Sequence, residues 1–309
     1  MHVRSRRTDG HIANMKPANF NYKRATDLKD ALALLAEFGP RARVLAGGQS
    51  LMPMLNLRLA QPEIIVDIAG LTELQGIDHT SDLRVGALVK QRDAELSPTL
   101  ISVCPLVPRA LRYVGHPPIR HQGTLGGSIA HADPSAELPA IMIAMDAEFV
   151  IASATNQRIV PATEFFVSAF TTTLRPDELL VQIILPIEKP RQGSAILEIS
   201  RRSGDFAQAG IVIVLCASSD GALEDVRLVG FALGSTARRL RQVEATLEGT
   251  MPDESSVARA REMLDAEVGA TDDIHATAGY RRHVLGVIFE RALTAARADS
   301  MTGRNGRQR

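Results

Sequence analysis

Two segments of adjacent glycines constrain this chain more than any other feature. They are Ala46-Gly47-Gly48-Gln49-Ser50-Leu51 and Thr124-Leu125-Gly126-Gly127-Ser128-Ile129, each flanked by apolar chain. Glycine has no Cβ, so the backbone there can take positive φ, approach another group closely and turn successive N–H groups toward an anion. The two segments read as halves of one diphosphate cradle that needs no charged side chain. Neither is a Walker loop, because the first lacks the Gly-x-x-x-x-Gly-Lys spacing. Neither carries Gly-x-Gly-x-x-Gly between a strand and a helix. Each ends on a small hydroxyl, Ser50 or Ser128, and the second opens on Thr124, so hydroxyl donors supplement the amides.

Recognition of an anion by this chain must be local. Thirty-five basic residues balance thirty-five acidic ones, which leaves no net field for a nucleic-acid backbone or an anionic membrane. No apolar run reaches the roughly 18 residues of a membrane span. Residues 1–14 are polar, and no apolar stretch follows Arg6-Arg7, so they are read as a disordered extension ahead of Met15 and not as a secretory signal. Cys104 and Cys216 are the only cysteines, with no Cys-x-x-Cys, which points to the reducing cytoplasm. Two thiols also fall short of the four that an iron–sulfur cluster takes, so any such centre belongs to a partner.

The apolar pattern divides the chain. Thr26 or Asp27 can cap a helix with Leu28, Ala31, Leu32 and Leu35 on one face, ended by Gly39-Pro40. Strands are expected at Arg43–Ala46, Ile64–Ile68 and Leu83–Ala87, with helices opening at Gln91 and spanning Leu106–Val114 until His116-Pro117-Pro118 breaks the second. Ala136–Met145 reads as a buried helix or extended segment, followed by strands at Glu148–Ala152 and Leu179–Leu185. Three strand-like runs between Gly193 and Leu233, with a hairpin turn at Ser218–Gly221, precede helices near 238–247, 255–267 and 276–298. The domains are therefore expected at 15–190, in two parts (15–72 and 73–190), and at 191–300, with a polar tail at 301–309. The expected fold class is α+β, the last domain being a three-stranded antiparallel layer covered by helices.

Beyond the second glycine segment, His131-Ala132-Asp133-Pro134-Ser135-Ala136-Glu137 sets two carboxylates beside a phosphate turn. They would repel phosphate, so they suit hydroxyls of a sugar or ribityl chain; Asp133 serves equally as a turn cap before proline. His116, His121 and His131 lack a carboxylate or thiolate spacing that would complete a metal site. Arg120 reads as structural, and the two cysteines as small buried hydrophobes. There is no Gly-x-Ser-x-Gly elbow, no paired carboxylates at a recognisable spacing and no cysteine with an adjacent base, so no catalytic residue is assigned.

The run Ala46–Pro53, the segment Thr124–Ser128 with Ala130–Pro134 behind it, and Arg201-Arg202-Ser203-Gly204-Asp205-Phe206 together resemble the FAD-binding medium subunit of molybdenum hydroxylases, the relatives of xanthine and carbon monoxide dehydrogenases. The resemblance runs from Met15 to about Ala298. It implies a PCMH-type FAD-binding fold of two subdomains followed by a flavoprotein C-terminal domain. It also implies that Ala46, Gly47, Gly48, Gln49, Ser50 and Leu51 hold the diphosphate and adjacent parts of FAD together with Thr124, Leu125, Gly126, Gly127 and Ser128. Glu137 would bond the flavin's hydroxylated chain, with Asp133 beside it as the second candidate read from the residues; Gly115 and Ile119 would line the pocket, and Leu180 would pack near a ring. Asp205 and Phe206 would lie by the isoalloxazine, with phenylalanine where the family often has tyrosine and Ser128 where it often has asparagine. Valine at both Gly47 and Gly127 is expected to abolish FAD retention, by resisting positive φ and blocking close approach.

The implied role is electron transfer. Substrate would be oxidised at a molybdopterin cofactor on a large subunit, electrons would cross 2Fe–2S clusters of a small subunit, and this chain's FAD would pass them to an external acceptor, in a dimer of heterotrimers. Two alternatives stand beside it: a stand-alone FAD-dependent reductase of the same cradle fold, and a non-redox nucleotide-binding assembly protein.

Overall fold

A computed structural model describes residues 16–80 and 82–302. The expected disordered extension at 1–14 and residues 303–309 of the polar tail lie outside the described residues; Met301 still belongs to a helix.

The chain opens with β1 (Asn21–Arg24), α1 (Leu28–Phe38), β2 (Ala42–Leu45), α2 (Leu51–Asn56) and β3 (Ile64–Asp67). Asp27, not Thr26, caps α1, its carboxylate accepting from Asp30 N at 2.8 Å. The helix buries Ala31, Leu32 and Leu35, and Gly39 ends it at φ +51°. Both β1 and β2 pair parallel to β3, so the sheet order is β1-β3-β2. Strand β1 leaves no mark in the apolar pattern because all four of its residues are exposed at a sheet edge.

A second sheet, entirely antiparallel, has the order β4-β5-β10-β6-β7: β4 (Ile77–His79), β5 (Leu83–Gly86), β6 (Glu148–Ala152), β7 (Gln157–Pro161) and β10 (Leu179–Leu185). Between β5 and β6 run six short helices: α3 (Gln91–Leu96), α4 (Pro98–Val103), α5 (Leu106–Leu111), α6 (Pro117–Gln122), α7 (Leu125–His131) and α8 (Glu137–Ala144). His116-Pro117-Pro118 does more than end a helix. Pro117 occupies the first position of α6, where a missing N–H costs nothing. Residues 162–172 add α9 (Ala162–Phe165) and a small ribbon of β8 (Phe166–Ser168) and β9 (Thr171–Thr172).

The last sheet is antiparallel in the order β11 (Gln192–Ile199), β12 (Ala209–Ala217), β13 (Leu223–Phe231) and β14 (Arg238–Arg239). The expected three strands thus gain a fourth of two polar residues, too short to carry a pattern. Helices α10 (Arg241–Leu247), α11 (Glu254–Glu267) and α12 (Ala278–Met301) follow. Strand β12 is apolar on both faces for a structural reason. Ile211, Ile213 and Leu215 share a core with Leu285, Phe289 and Leu293 of α12, whereas Val212 and Val214 join Phe231 and the residues of α8. All eight residues of α8 are buried, as befits a helix apolar on every side that fastens the middle of the chain to the last sheet.

Candidate cofactor site

The first glycine segment leaves β2 directly. Positive φ, +72°, belongs to Gly48 alone among its residues. Gly47 is required by packing: a Cβ there would lie 2.4 Å from the Gln122 carbonyl oxygen and 2.9 Å from the Gly123 Cα. Glycine at 47 therefore lets this segment close on the residues that lead into the second one. From the other side, a Cβ on Gly127 would lie 3.8 Å from that of Ala46. The two segments meet, as one cradle requires.

Their backbones nevertheless differ. Thr124 is the N-cap of α7, its Oγ1 accepting from Gly127 N at 3.1 Å, so the second segment is the first turn of a helix. The amides of Leu125, Gly126 and Ser128 donate to the carbonyls of Val89, Ala87 and Thr124 at 3.0, 2.8 and 3.2 Å. Its glycines have helical φ, and a Cβ on Gly126 would stand 2.5 Å from that of Ala87, which makes Gly126 a close-packing residue behind β5. In the first segment, by contrast, the amides of Gly47, Gly48, Gln49 and Ser50 donate to no acceptor among the described residues; Gln49 Nε2 bonds Gly47 O at 3.2 Å. Consecutive uncommitted amides on a partly exposed turn form an anion nest. Lys90 reaches the same junction, donating from Nζ to Gln122 O at 3.0 Å. Sequence reasoning missed Lys90, because its only signature there is a lone lysine before a helix.

Helix α6 links this junction to the third motif. Gly123, at its C-terminal end, touches Gly47; Gly115 and His116, at its N-terminal end, touch Gly204. Gly204 has φ +86°, and a Cβ there would lie 2.8 Å from His116 Cε1 and 3.1 Å from Gly115 O. Six residues of α6 rise about 9 Å, so the site is elongated, with the nest at one end and the Arg201–Phe206 loop at the other. Asp205 and Phe206 are exposed there, Phe206 by 71%, a ring that the fold leaves uncovered. Arg120 holds α6 from behind. Its Nη1 donates to Val114 O and Gly115 O at 2.9 Å and its Nε to Glu95 at 2.9 Å. Burial would raise the Glu95 carboxyl, but hydrogen bonds from Arg92 and Arg120 outweigh it and hold it below the usual range.

Asp133 takes the cap role, Oδ1 accepting from Ser135 N at 2.9 Å. Leu180 is buried in the core with Leu125 and Ile129, behind the second segment and not on the open face. The His131 ring packs at a tilt against Phe170, centroids 5.1 Å apart, away from His116 beside Gly204. Among the described residues no three His, Cys, Asp or Glu side chains converge as a metal site, and no helix is long and apolar enough to cross a membrane. Sequence spacing gave no sign of one further feature. Burial, with the Asp133 charge, pushes Glu137, at the first position of α8, up to about 7, and burial plus the Glu137 charge pushes Glu198, on β11, up to about 8. The burial that raises both acids is set by the fold and is carried by no local motif.

The glycine segments thus meet beside Lys90 at one end of α6, and Gly204 and the exposed Phe206 lie at the other. Residues 18–188 match the FAD binding domain in molybdopterin dehydrogenase, and residues 194–296 match the CO dehydrogenase flavoprotein C-terminal domain. The chain belongs to the FAD-binding family of the molybdopterin dehydrogenases. Among its relatives, the 6-hydroxypseudooxynicotine dehydrogenase complex subunit alpha of Paenarthrobacter nicotinovorans is 35% identical, over 91% of this chain and 96% of that one. Caffeine dehydrogenase subunit beta of a Pseudomonas strain is 36% identical, over 91% and 96% respectively. The fold is shared with a chain of carbon monoxide dehydrogenase from Hydrogenophaga pseudoflava, with a TM-score of 0.88 at 35% identity, covering 92% of this chain and 99% of that one.

Proposed function

We propose that this chain is the FAD-binding electron-transfer subunit of a molybdopterin-dependent dehydrogenase. The junction of the two glycine segments carries the reading, because it offers uncommitted amides and an ammonium where a diphosphate needs them. In it, the Ala46–Leu51 segment and Lys90 hold the diphosphate, and Thr124–Ser128 supplies the opposite wall through close packing. Asp133 and Glu137 accept from the hydroxylated chain, while Gly115, Asp205 and Phe206 border the ring. When bound, FAD supplies the two-electron chemistry; this chain binds it, orients it and tunes its surroundings.

The rest of the electron chain lies on partners. Cys104 and Cys216 are too few for an iron–sulfur cluster, so 2Fe–2S clusters sit on a small subunit and the molybdopterin cofactor on a large one. The Paenarthrobacter relative is itself named as one subunit of a dehydrogenase complex. Relatives named for a nicotine derivative, caffeine and carbon monoxide match more than nine-tenths of this chain, which favours a substrate chosen by another polypeptide. The assembled complex is a dimer of heterotrimers in the cytoplasm, delivering electrons to an external acceptor. The match of residues 194–296 to a flavoprotein C-terminal domain favours this reading over a stand-alone reductase.

The test is spectroscopic. The purified chain is expected to carry the flavin absorbance bands, or to regain them when the apoprotein is mixed with FAD, and to co-purify with a large and a small subunit when the three are expressed together. A colourless chain that takes up no FAD refutes the proposal.

A further inference from the structure

A cleft of about 610 Å³ opens where the end of α5 faces β11 and the last turns of α12. Neither glycine segment, nor Lys90, nor the Arg201–Phe206 loop lines it. Helix α5 belongs to the FAD-binding domain, β11 and α12 to the C-terminal one, and seams between domains are where small-molecule sites of roughly 300–1,000 Å³ concentrate. Ala195, Ile196 and Leu197 of β11 form one wall, and Ala295 and Ala298 of α12 another, so the interior is apolar. Both α12 alanines are exposed, and their short side chains leave the space open.

The polar rim is uneven. Arg109 and Arg112, three residues apart at the end of α5, supply its cations. Arg109 is committed: its Nη1 donates to Ser194 O and its Nη2 to Ser194 Oγ and Asp299 Oδ2, each at 3.0 Å. That Asp299 oxygen also accepts from Ser194 N at 3.0 Å. Tyr113 is tied as well, donating to Ile196 O at 3.3 Å. Arg112, by contrast, is exposed, and its guanidinium has no hydrogen bond or ion pair among the described residues. Two guanidinium groups against one carboxylate leave the lining with an excess positive charge, and it sits on Arg112. Glu198, on the same face of β11 as Ile196, does not cancel it, because burial pushes its carboxyl up to about 8 and keeps it largely uncharged in neutral solution.

An apolar cleft with one uncommitted guanidinium at its mouth suits a molecule of the opposite make-up. Its apolar body leaves water against the alanine, isoleucine and leucine walls, and a carboxylate or sulfonate meets the planar fork of an arginine in two parallel hydrogen bonds. A dinucleotide fits badly, since its two phosphates would share a single free cation. The geometry points to a second ligand site in this chain: the cleft binds an organic acid with an apolar body, its anionic group on Arg112 and its body between β11 and α12. This site goes beyond the flavin reading and stands without it.

The probe is anilinonaphthalene sulfonate, an amphipathic anion whose fluorescence rises in apolar surroundings, titrated into the full chain with and without excess FAD. Saturable binding is expected that FAD does not displace, that decanoate displaces, and that decanol, of the same length but uncharged, does not. Arg112→Ala removes the charged partner and is expected to weaken binding roughly 10- to 100-fold. Ala298→Phe fills the cleft and is expected to abolish it. Both positions are exposed, so both variants should melt as the native chain does. Displacement by FAD, equal displacement by decanol, or native affinity in either folded variant overturns the proposal. So does loss of the site when the chain is purified with its partner subunits, which would make the cleft part of an interface. Competition on the native chain decides the matter even if a variant does not fold. A chain that binds the probe as described but no FAD refutes the functional reading alone, whereas a flavin-loaded chain with no saturable probe site refutes this one alone.

Discussion

Gly47→Ala tests the cradle most directly. The added Cβ would stand 2.4 Å from the Gln122 carbonyl oxygen, and ordinary contact begins near 3.4 Å, so the segment must retreat by about 1 Å. The obstacle is backbone and not the end of a flexible side chain, so it does not rotate away. Hydrogen bonds from amides to a charged group contribute about 1.5–3 kcal/mol each. If a 1 Å retreat costs two of the four uncommitted amides their phosphate contact, binding weakens by about 3–6 kcal/mol, or roughly 10²- to 10⁴-fold. The fold should survive, since overpacking of this size costs about 1–3 kcal/mol. The assay is FAD affinity by fluorescence quenching on the apoprotein, with thermal melting to confirm folding and Gly76→Ala as control, where a Cβ meets nothing within 4 Å. A folded Gly47→Ala chain with native FAD affinity would falsify the placement of the diphosphate. The valine double variant tests the same contact, but for a corrected reason: neither Gly47 nor Gly127 has positive φ, and both act through close packing.

Three further outcomes are expected. Thr124→Val removes the N-cap of α7 and should destabilise the chain by about 1 kcal/mol in urea unfolding; an unchanged midpoint means that the cap is not formed. Arg120→Met strips Val114 O, Gly115 O and Glu95 of a buried donor and should cost about 3–5 kcal/mol; a loss below about 1 kcal/mol contradicts the clamp on α6. Glu137 and Glu198 are held above the 4.5 of an unperturbed carboxyl, so between about pH 4.5 and about pH 8 the folded chain binds more protons than the unfolded one. Their contribution to stability therefore falls as pH rises through that window. Urea unfolding of the apoprotein should show a flatter pH dependence in Glu198→Gln than in the native chain, and equal slopes count against a raised Glu198.

The elements with strong apolar periodicity were legible as they stand. Helix α1 with its glycine stop, strands β3, β5, β6, β10, β12 and β13, and the three C-terminal helices all follow from local pattern, because each buries one face or both. Strands β1 and β14 were not legible: their residues are polar and they exist only by pairing with a strand already formed. The Pro117-Pro118 pair was read as a stop, yet proline is equally at home in the first turn of a helix, and sequence alone does not distinguish the two.

The site divides the same way. By itself the sequence determined that two glycine segments and an Arg-Arg-Ser-Gly-Asp-Phe loop are present, that they resemble a flavoprotein, and that two cysteines leave iron–sulfur chemistry to partners. These are properties of residue type and order, which no fold can alter. Tertiary structure decided what each glycine is for. Gly48 supplies the left-handed turn, Gly47 the closure on Gln122, Gly126 the packing on Ala87, and only the first segment keeps its amides free. It also decided that Lys90 reaches Gln122 at the junction of the segments and that Glu137 is buried. Contact, burial and the charge a neighbour imposes are set by distance in space, and the chain between these residues carries no local record of it.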